Sequence, residues 1–271
     1  MSGGWRHTFR IATRLLLRDW RAGELTVLVS ALLVAVTAMT GVAFLTDRVG
    51  QAVQMRAAES LAADLRIDSA ASIDPAYETL AIDRGLDAAR MTRMPSVVFA
   101  GEANSLAAVR AVTAGYPLRG QLKIADNLLA EPFVTDAVPP PGEAWATPRL
   151  MARLGIDTGV TLDVGAAQLK LTRVLDFRPD EGWSFVDLAP TLLINDADLA
   201  GTQLVQPGSR VSYRLLLAGQ RGAVSDVKPL LEERLAEGER LSDIQDSNPQ
   251  IRSSMERSGR FLNLASMVSV L

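Results

Sequence analysis

The sequence predicts a membrane protein: an N-terminal transmembrane helix, an extracytoplasmic α+β domain in two lobes, and the start of a second transmembrane helix. Three observations carry this. A run of 21 residues without a charge stands at Leu25–Leu45. Strand-like and helix-like patterns then alternate for roughly 190 residues. The chain reaches Leu271 inside another apolar run, which begins at Phe261. The expected order is a cytoplasmic amphipathic helix over 1–24, a transmembrane helix over 25–45, stalk helices and the α+β domain over 46–258, and a truncated second transmembrane helix over 259–271.

In the first segment Arg6, Arg10, Arg14 and Arg18 recur every four residues, while Trp5, Phe9, Leu16 and Trp20 fall on another face. That pattern suits a helix lying at the inner membrane surface. A plain cytoplasmic tail with anchoring arginines is the simpler alternative. His7, the one histidine of the chain, sits beside this stripe.

The apolar run LTVLVSALLVAVTAMTGVAFL would be about 31 Å long as a helix, close to a hydrocarbon core of roughly 30 Å. Eleven of its residues are Leu, Val or Phe. At about −0.3 to −0.6 kcal/mol each they favour insertion by roughly 3–7 kcal/mol, less what its threonines and serine subtract. A buried core helix and a cleaved signal peptide (Val36-Thr37-Ala38 resembles a cleavage site) are the competing readings. The uniform length of the run and the 24 residues before it favour an uncleaved span. Thr26, Ser30, Thr37 and Gly41 form a stripe of small residues that would let another helix approach.

Orientation follows from the flanks. Five arginines against Asp19 and Glu24 give +3 before the run; the remaining 23 basic and 29 acidic residues give −6 after it. Excess Lys and Arg stays cytoplasmic, so the N-terminus is expected inside and the bulk of the chain outside. Beyond Thr46 the apolar spacing of Val49, Val53, Ala57, Leu61 and Leu65 continues the helix as a stalk to about Ala63.

The domain follows. Asp74 caps a helix that opens on Pro75. PSVVFAGEANSLAAVRAVTAG reads as two strands about a Gly-Glu-Ala-Asn turn, with a helical alternative for the second. TPRLMARLGI is a short helix after the prolines Pro139–Pro141, near which the two lobes are expected to join. VTLDVGAAQLKLTRVLDF is a hairpin turning near Gly165. TLLIN is a strand, and Asn195 caps the helix of NDADLAGT. Val211, Tyr213, Leu215 and Leu217 share one face of a strand. SDVKPLLEERLAEG is a helix capped by Ser225, with Val227, Leu230, Leu231 and Leu235 as its buried stripe and Gly238 as its stop. Asn248 and Pro249 open a helix that runs into Phe261–Leu271. Eleven residues make about 16 Å of helix, half a bilayer, so a second span is expected to begin there. A buried terminal helix is the alternative.

Much chemistry is excluded. The chain has no cysteine, which removes disulfides, thiol catalysis and zinc–thiolate sites. A net charge of −3 implies no general attraction to nucleic acid. G-x-x-x-x-G-K-[ST] and G-x-S-x-G are both absent. Asp176, Asp180 and Glu181 cluster near Arg178 and Trp183. Paired carboxylates serve glycoside hydrolysis. In a Pro-Asp-Glu-Gly turn, local hydrogen bonding is the simpler role.

Four stretches carry a resemblance: GYPLRG (Gly115–Gly120), WATPRLMARLG (Trp145–Gly155), LAPTLLINDADLAGTQLVQPGSRVSYRLLLAG (Leu188–Gly219) and NPQIRSSMERSGRFLNLASMVSVL at the end. With the first span they resemble the N-terminal part of the YbbP-like permeases, in the FtsX/MacB (type VII) superfamily of ABC transporters. The resemblance implies a MacB-like periplasmic core and a multi-pass protein of the bacterial inner membrane. It implies a separate cytoplasmic ATPase that binds ATP and Mg, and no cofactor in this chain. It implies a hydrophobic or lipid-like substrate, contact with membrane lipid, a periplasmic partner protein, and force transmission across the bilayer. It assigns no catalytic, metal-binding or substrate-binding residue; Leu25, Leu45, Phe261 and Leu271 are the expected span boundaries. The alternative within the superfamily is an FtsX-like membrane-anchored regulatory module that does not transport.

Overall fold

The computed structural model describes residues 23–180 and 189–243. Two compact units divide at Val53. Helix α1 (Glu24–Leu61, 38 residues) carries the whole apolar run in the first unit and its last residues, from Gln54, in the second. Leu32, Leu33, Val34, Val36, Met39 and Val42 are each more than half exposed. At 100° per residue these exposed side chains point all round the axis. Three of its hydroxyls are satisfied internally: Ser30 Oγ donates to the Val27 carbonyl (2.9 Å), Thr37 Oγ1 to Leu33 (2.7 Å) and Thr40 Oγ1 to Val36 (2.7 Å). Among the described residues no helix is long and apolar enough to cross a membrane.

The second unit is built on one eleven-stranded sheet. Its elements in order are β1 (Leu65–Ser69), α2 (Pro75–Ile82), β2 (Asp87–Ala100), β3 (Ala103–Val112), β4 (Leu122–Ala125), β5 (Phe133–Thr135), β6 (Glu143–Ala146), α3 (Pro148–Leu154), β7 (Thr161–Val164), β8 (Ala167–Phe177), β9 (Thr191–Asn195), α4 (Asp196–Thr202), β10 (Ser212–Ala218), α5 (Arg221–Glu232) and β11 (Arg240–Asp243). Two of the predicted caps are in place. Asp74 accepts from the Ala76 N–H (2.8 Å) and Asn195 Oδ1 from the Ala197 N–H (3.0 Å), each supplying an acceptor to a first-turn donor.

The sheet path runs β11-β1-β10-β2-β3-β9-β6-β8-β4-β5. Strand β7 closes part of it. It pairs antiparallel with β8 and, through Val98↔Val164 and Phe99↔Asp163, with the far half of β2. Strands β2, β3, β9, β6, β8 and β7 therefore form a closed ring. Met94, Val109, Leu162, Leu171, Leu192 and Ile194 fill it, joined by Leu150, Met151 and Leu154 of α3. Each such side chain, removed from water, contributes about 1.5–3 kcal/mol. Beyond the ring, β10, β1 and β11 extend the sheet from the near half of β2. Leu65, Ile67, Leu215 and Leu217 there pack against Tyr77 and Ala81 of α2 and Val227 and Leu231 of α5. A third cluster contains Ala62, Ala63, Met91, Val112, Tyr116, Trp145, Leu193 and Leu216.

Three expectations are corrected, and one open alternative is resolved as the strand first expected. The two lobes do not join at Pro139–Pro141. Ring and extension share strand β2, whose near half pairs with β10 and far half with β7, because 14 residues of extended chain are long enough to serve both. Helix α5 starts at Arg221, not after Ser225, since Ala223 and Val224 already pack on the core. It ends at Glu232, and Gly238 (φ 89°) instead shapes the turn before β11. The second segment of the hairpin, open to a helical reading, is strand β3, paired with β2 along its full length. Val211 packs on the ring interior rather than with Leu215 and Leu217.

Candidate functional site

The loop between β3 and β4 holds GYPLRG. Gly115 (φ 86°) and Gly120 (φ 78°) bracket it in a conformation that L side chains resist. This loop sends Arg119 to the end of α1 and Tyr116 to a buried carboxylate.

Helix α1 ends in Ala62 and Ala63, both fully buried, with Ala62 in the left-handed region at φ 59°. The next residue, Asp64, faces Arg119 as a two-pronged ion pair: Nε donates to Oδ1 (3.0 Å) and Nη2 to Oδ2 (2.6 Å). Planar guanidinium and carboxylate match in this geometry, which adds direction to attraction. The Arg119 backbone N–H donates to the Ala62 carbonyl (3.0 Å), and Asp64 N–H to Leu217 (3.0 Å). Gly219 N–H donates to Asp64 Oδ2 (2.9 Å), and Arg119 Nη2 to the Gly219 carbonyl (3.0 Å). A Cβ at Gly219 would meet Leu86 Cδ2 at 2.4 Å, so any side chain there would have to displace Leu86.

At the other site Asp180 lies buried among cations. Arg110 Nη1 reaches Oδ2 at 2.6 Å, Arg178 Nη1 reaches Oδ1 at 3.0 Å, and the Tyr116 hydroxyl donates to Oδ1 at 2.7 Å. Arg214 of β10 stands 3.9 Å from Oδ2 and pairs at 2.9 Å with Asp68 of β1, which also pairs with Arg66 at 2.7 Å. Burial alone would raise the Asp180 pKa. The guanidiniums of Arg110 and Arg178, the Tyr116 hydroxyl and Arg214 outweigh it and hold the carboxyl well below its ordinary range. Burial, then the neighbouring Asp180 charge, push the Tyr116 hydroxyl well above its ordinary value. Burial lowers Arg110, against the pull of Asp180.

This fixes what the site does chemically. A general acid must hold its proton near neutrality; Asp180 is kept ionised. It ties the segment after β8 to β3, β10 and the GYPLRG loop. Asp176 is exposed near the end of β8 while Asp180 is buried, so the two do not share one environment. Glu181, Trp183, His7, Phe261 and Leu271 lie outside the described residues; Leu25 and Leu45 both fall within α1. Sequence reasoning missed Asp64, Arg110, Tyr116, Arg119 and Arg214 as a group. Arg110 alone gave a signal, a cation inside the apolar stretch LAAVRAV.

No protein-family model matches the chain. The uncharacterised ABC transporter permease YbbP of Escherichia coli (strain K12) is 31% identical over 254 residues, 94% of this chain. The chain spans 31% of that relative's length. Among solved structures, the periplasmic region of MacB from Actinobacillus actinomycetemcomitans is 11% identical at a TM-score of 0.43, over 71% of this chain and 92% of that one. The extracellular domain of the noncanonic ABC-type transporter YknZ from Gram-positive bacteria is 11% identical at 0.44, over 66% and 99%. Neither structural likeness carries an argument about this chain. The sequence match does: along 94% of its length the chain is similar to part of a YbbP-like ABC transporter permease.

Proposed function

We propose that the chain is part of the permease subunit of an ABC transporter, driven by a separate cytoplasmic ATPase that binds ATP and Mg. In this reading Leu25–Leu45 spans the bacterial inner membrane, with residues 1–24 cytoplasmic. Residues 46–258 stand in the periplasm, and Phe261–Leu271 re-enters the membrane. The substrate is hydrophobic or lipid-like, and the periplasmic domain handles it, with or without a periplasmic partner protein. The observation that carries the reading is the 31% identity to YbbP along 94% of the chain. The exposed apolar side chains that point all round α1 support the span, because a helix apolar on every face needs a partner or lipid.

The experiment is topology followed by capture. The chain has no cysteine, so one introduced at exposed Glu102 is a unique probe. It should react with a membrane-impermeant maleimide in intact spheroplasts, and the full-length protein should retain a P-loop ATPase on purification. Labelling only after lysis sinks the topology. Purification with a periplasmic hydrolase, and no effect of ATP on transport, would favour the FtsX-like regulatory alternative.

A further inference from the structure

We propose that Arg119 is a positioning residue that makes the last turn of α1 and the sheet one rigid body, so that displacement of the helix is delivered to the domain undiminished. This rests on the permease reading above. The turn between a helix and the next strand is where a chain ordinarily bends, since few contacts oppose a change of φ and ψ there. At 62–64 the opposite holds. Six hydrogen bonds close the joint: five tie Ala62 and Asp64 to Arg119, Leu217 and Gly219, and the sixth joins Arg119 to the Gly219 carbonyl. Three of them use the Arg119 guanidinium and one its backbone N–H, so a single residue supplies most of the closure. Ala62 and Ala63 are fully buried, leaving no room for a swing.

The same loop then carries the connection further. Tyr116, three residues before Arg119, bonds to Asp180, which is bound in turn to Arg110 of β3. Motion entering at Ala62 has a bonded route to the end of β10 through Gly219, and to β3 through Tyr116, Asp180 and Arg110. Packed elements with directional bonds shift as units, which is what transmission over a distance requires.

The test uses full-length permease in nanodiscs with its ATPase, on a cysteine-free background. Spin labels at Ala57 of α1 and at exposed Asp226 of α5 report the joint. Their distance distribution should be narrow in the wild type, at least twofold broader in Arg119→Ala and in Asp64→Ala, and no broader in the double variant than in either single one. Arg119→Lys, which keeps the charge and loses the fork, should fall between. Equal widths in wild type and Arg119→Ala overturn the joint. Circular dichroism checks folding; where Arg119→Ala is unfolded, Arg119→Lys decides by the same criterion. A second readout follows the separation of a label at Asp226 from spin-labelled lipid headgroups on adding ATP. A shift present in the wild type and lost in Arg119→Ala supports coupling through this residue. A shift retained in Arg119→Ala overturns it. No shift in the wild type overturns the permease reading, and the coupling role with it, while the Ala57–Asp226 widths still judge the joint by itself.

Discussion

The end of α1 and the Asp180 cluster are held by one loop, yet by different electrostatic means. At the helix end a single guanidinium meets a single carboxylate, with Arg119 36% and Asp64 13% exposed. At the cluster three guanidiniums surround one carboxylate, with the side chains of Arg110 and Asp180 at 1% and 2%. Water screens the first pair and leaves the second in a low-dielectric interior. The difference teaches that the loop is held at both ends, with the larger electrostatic share at Tyr116 and the smaller at Arg119. Loss of a partner costs most where no water can replace it.

The largest test of that comparison is Asp180→Asn. It removes the buried charge that Arg110, Arg178 and Tyr116 share and should cost about 3–5 kcal/mol in urea unfolding of the chain in detergent. A cost below 1 kcal/mol would mean that water reaches the cluster. Acid should tell the same story. A carboxylate whose folded pKa is depressed contributes stability that is present above its unfolded value, about 3.9, and is lost as pH falls towards its folded value. The wild-type contribution should therefore hold at pH 5–7 and decline below about pH 4, and Asp180→Asn should flatten that limb.

Next in size is Tyr116→Phe, which deletes one hydrogen bond to a charged acceptor and should cost about 1.5–3 kcal/mol. It also bears on alkaline stability. The raised phenol stabilises the fold below its ordinary value near 10 and withdraws that contribution as pH rises through the folded value. Arg119→Ala should cost about 1–2 kcal/mol, less than Asp180→Asn, because its partner keeps the Gly219 N–H and some water. Salt sharpens the contrast: at 1 M the screening length is about 3 Å, so the Arg119→Ala penalty should shrink while the Asp180→Asn penalty stays. Smallest is Ala62→Gly. Relief of the left-handed backbone and loss of a buried methyl oppose each other, and the net change should lie within about 1 kcal/mol.

Local rules were legible in the sequence. Asp74 and Asn195 announced their helices, and Gly165 its hairpin. The alternation of Tyr213, Leu215 and Leu217 announced β10. Each depends on residues within a turn or two of one another, where spacing alone decides which groups meet. Where two local rules competed, the sequence misled: Ser225 is a good cap, but the apolar stripe of α5 begins before it. Short strands such as β4, β5 and β6 have too few residues for a pattern to stand out.

What the sequence by itself determined is therefore the set of local elements, the uncharged run of α1 and the relationship to YbbP-like permeases. Only the tertiary structure decided that β7 closes a ring on β2, that the two lobes share that strand, and that Asp64 meets Arg119 and Gly219. Those partners lie 55 and 155 residues apart. An ion pair over such a separation leaves no periodicity in the chain, because its partners are chosen by strand register and burial, which exist only once the sheet has formed.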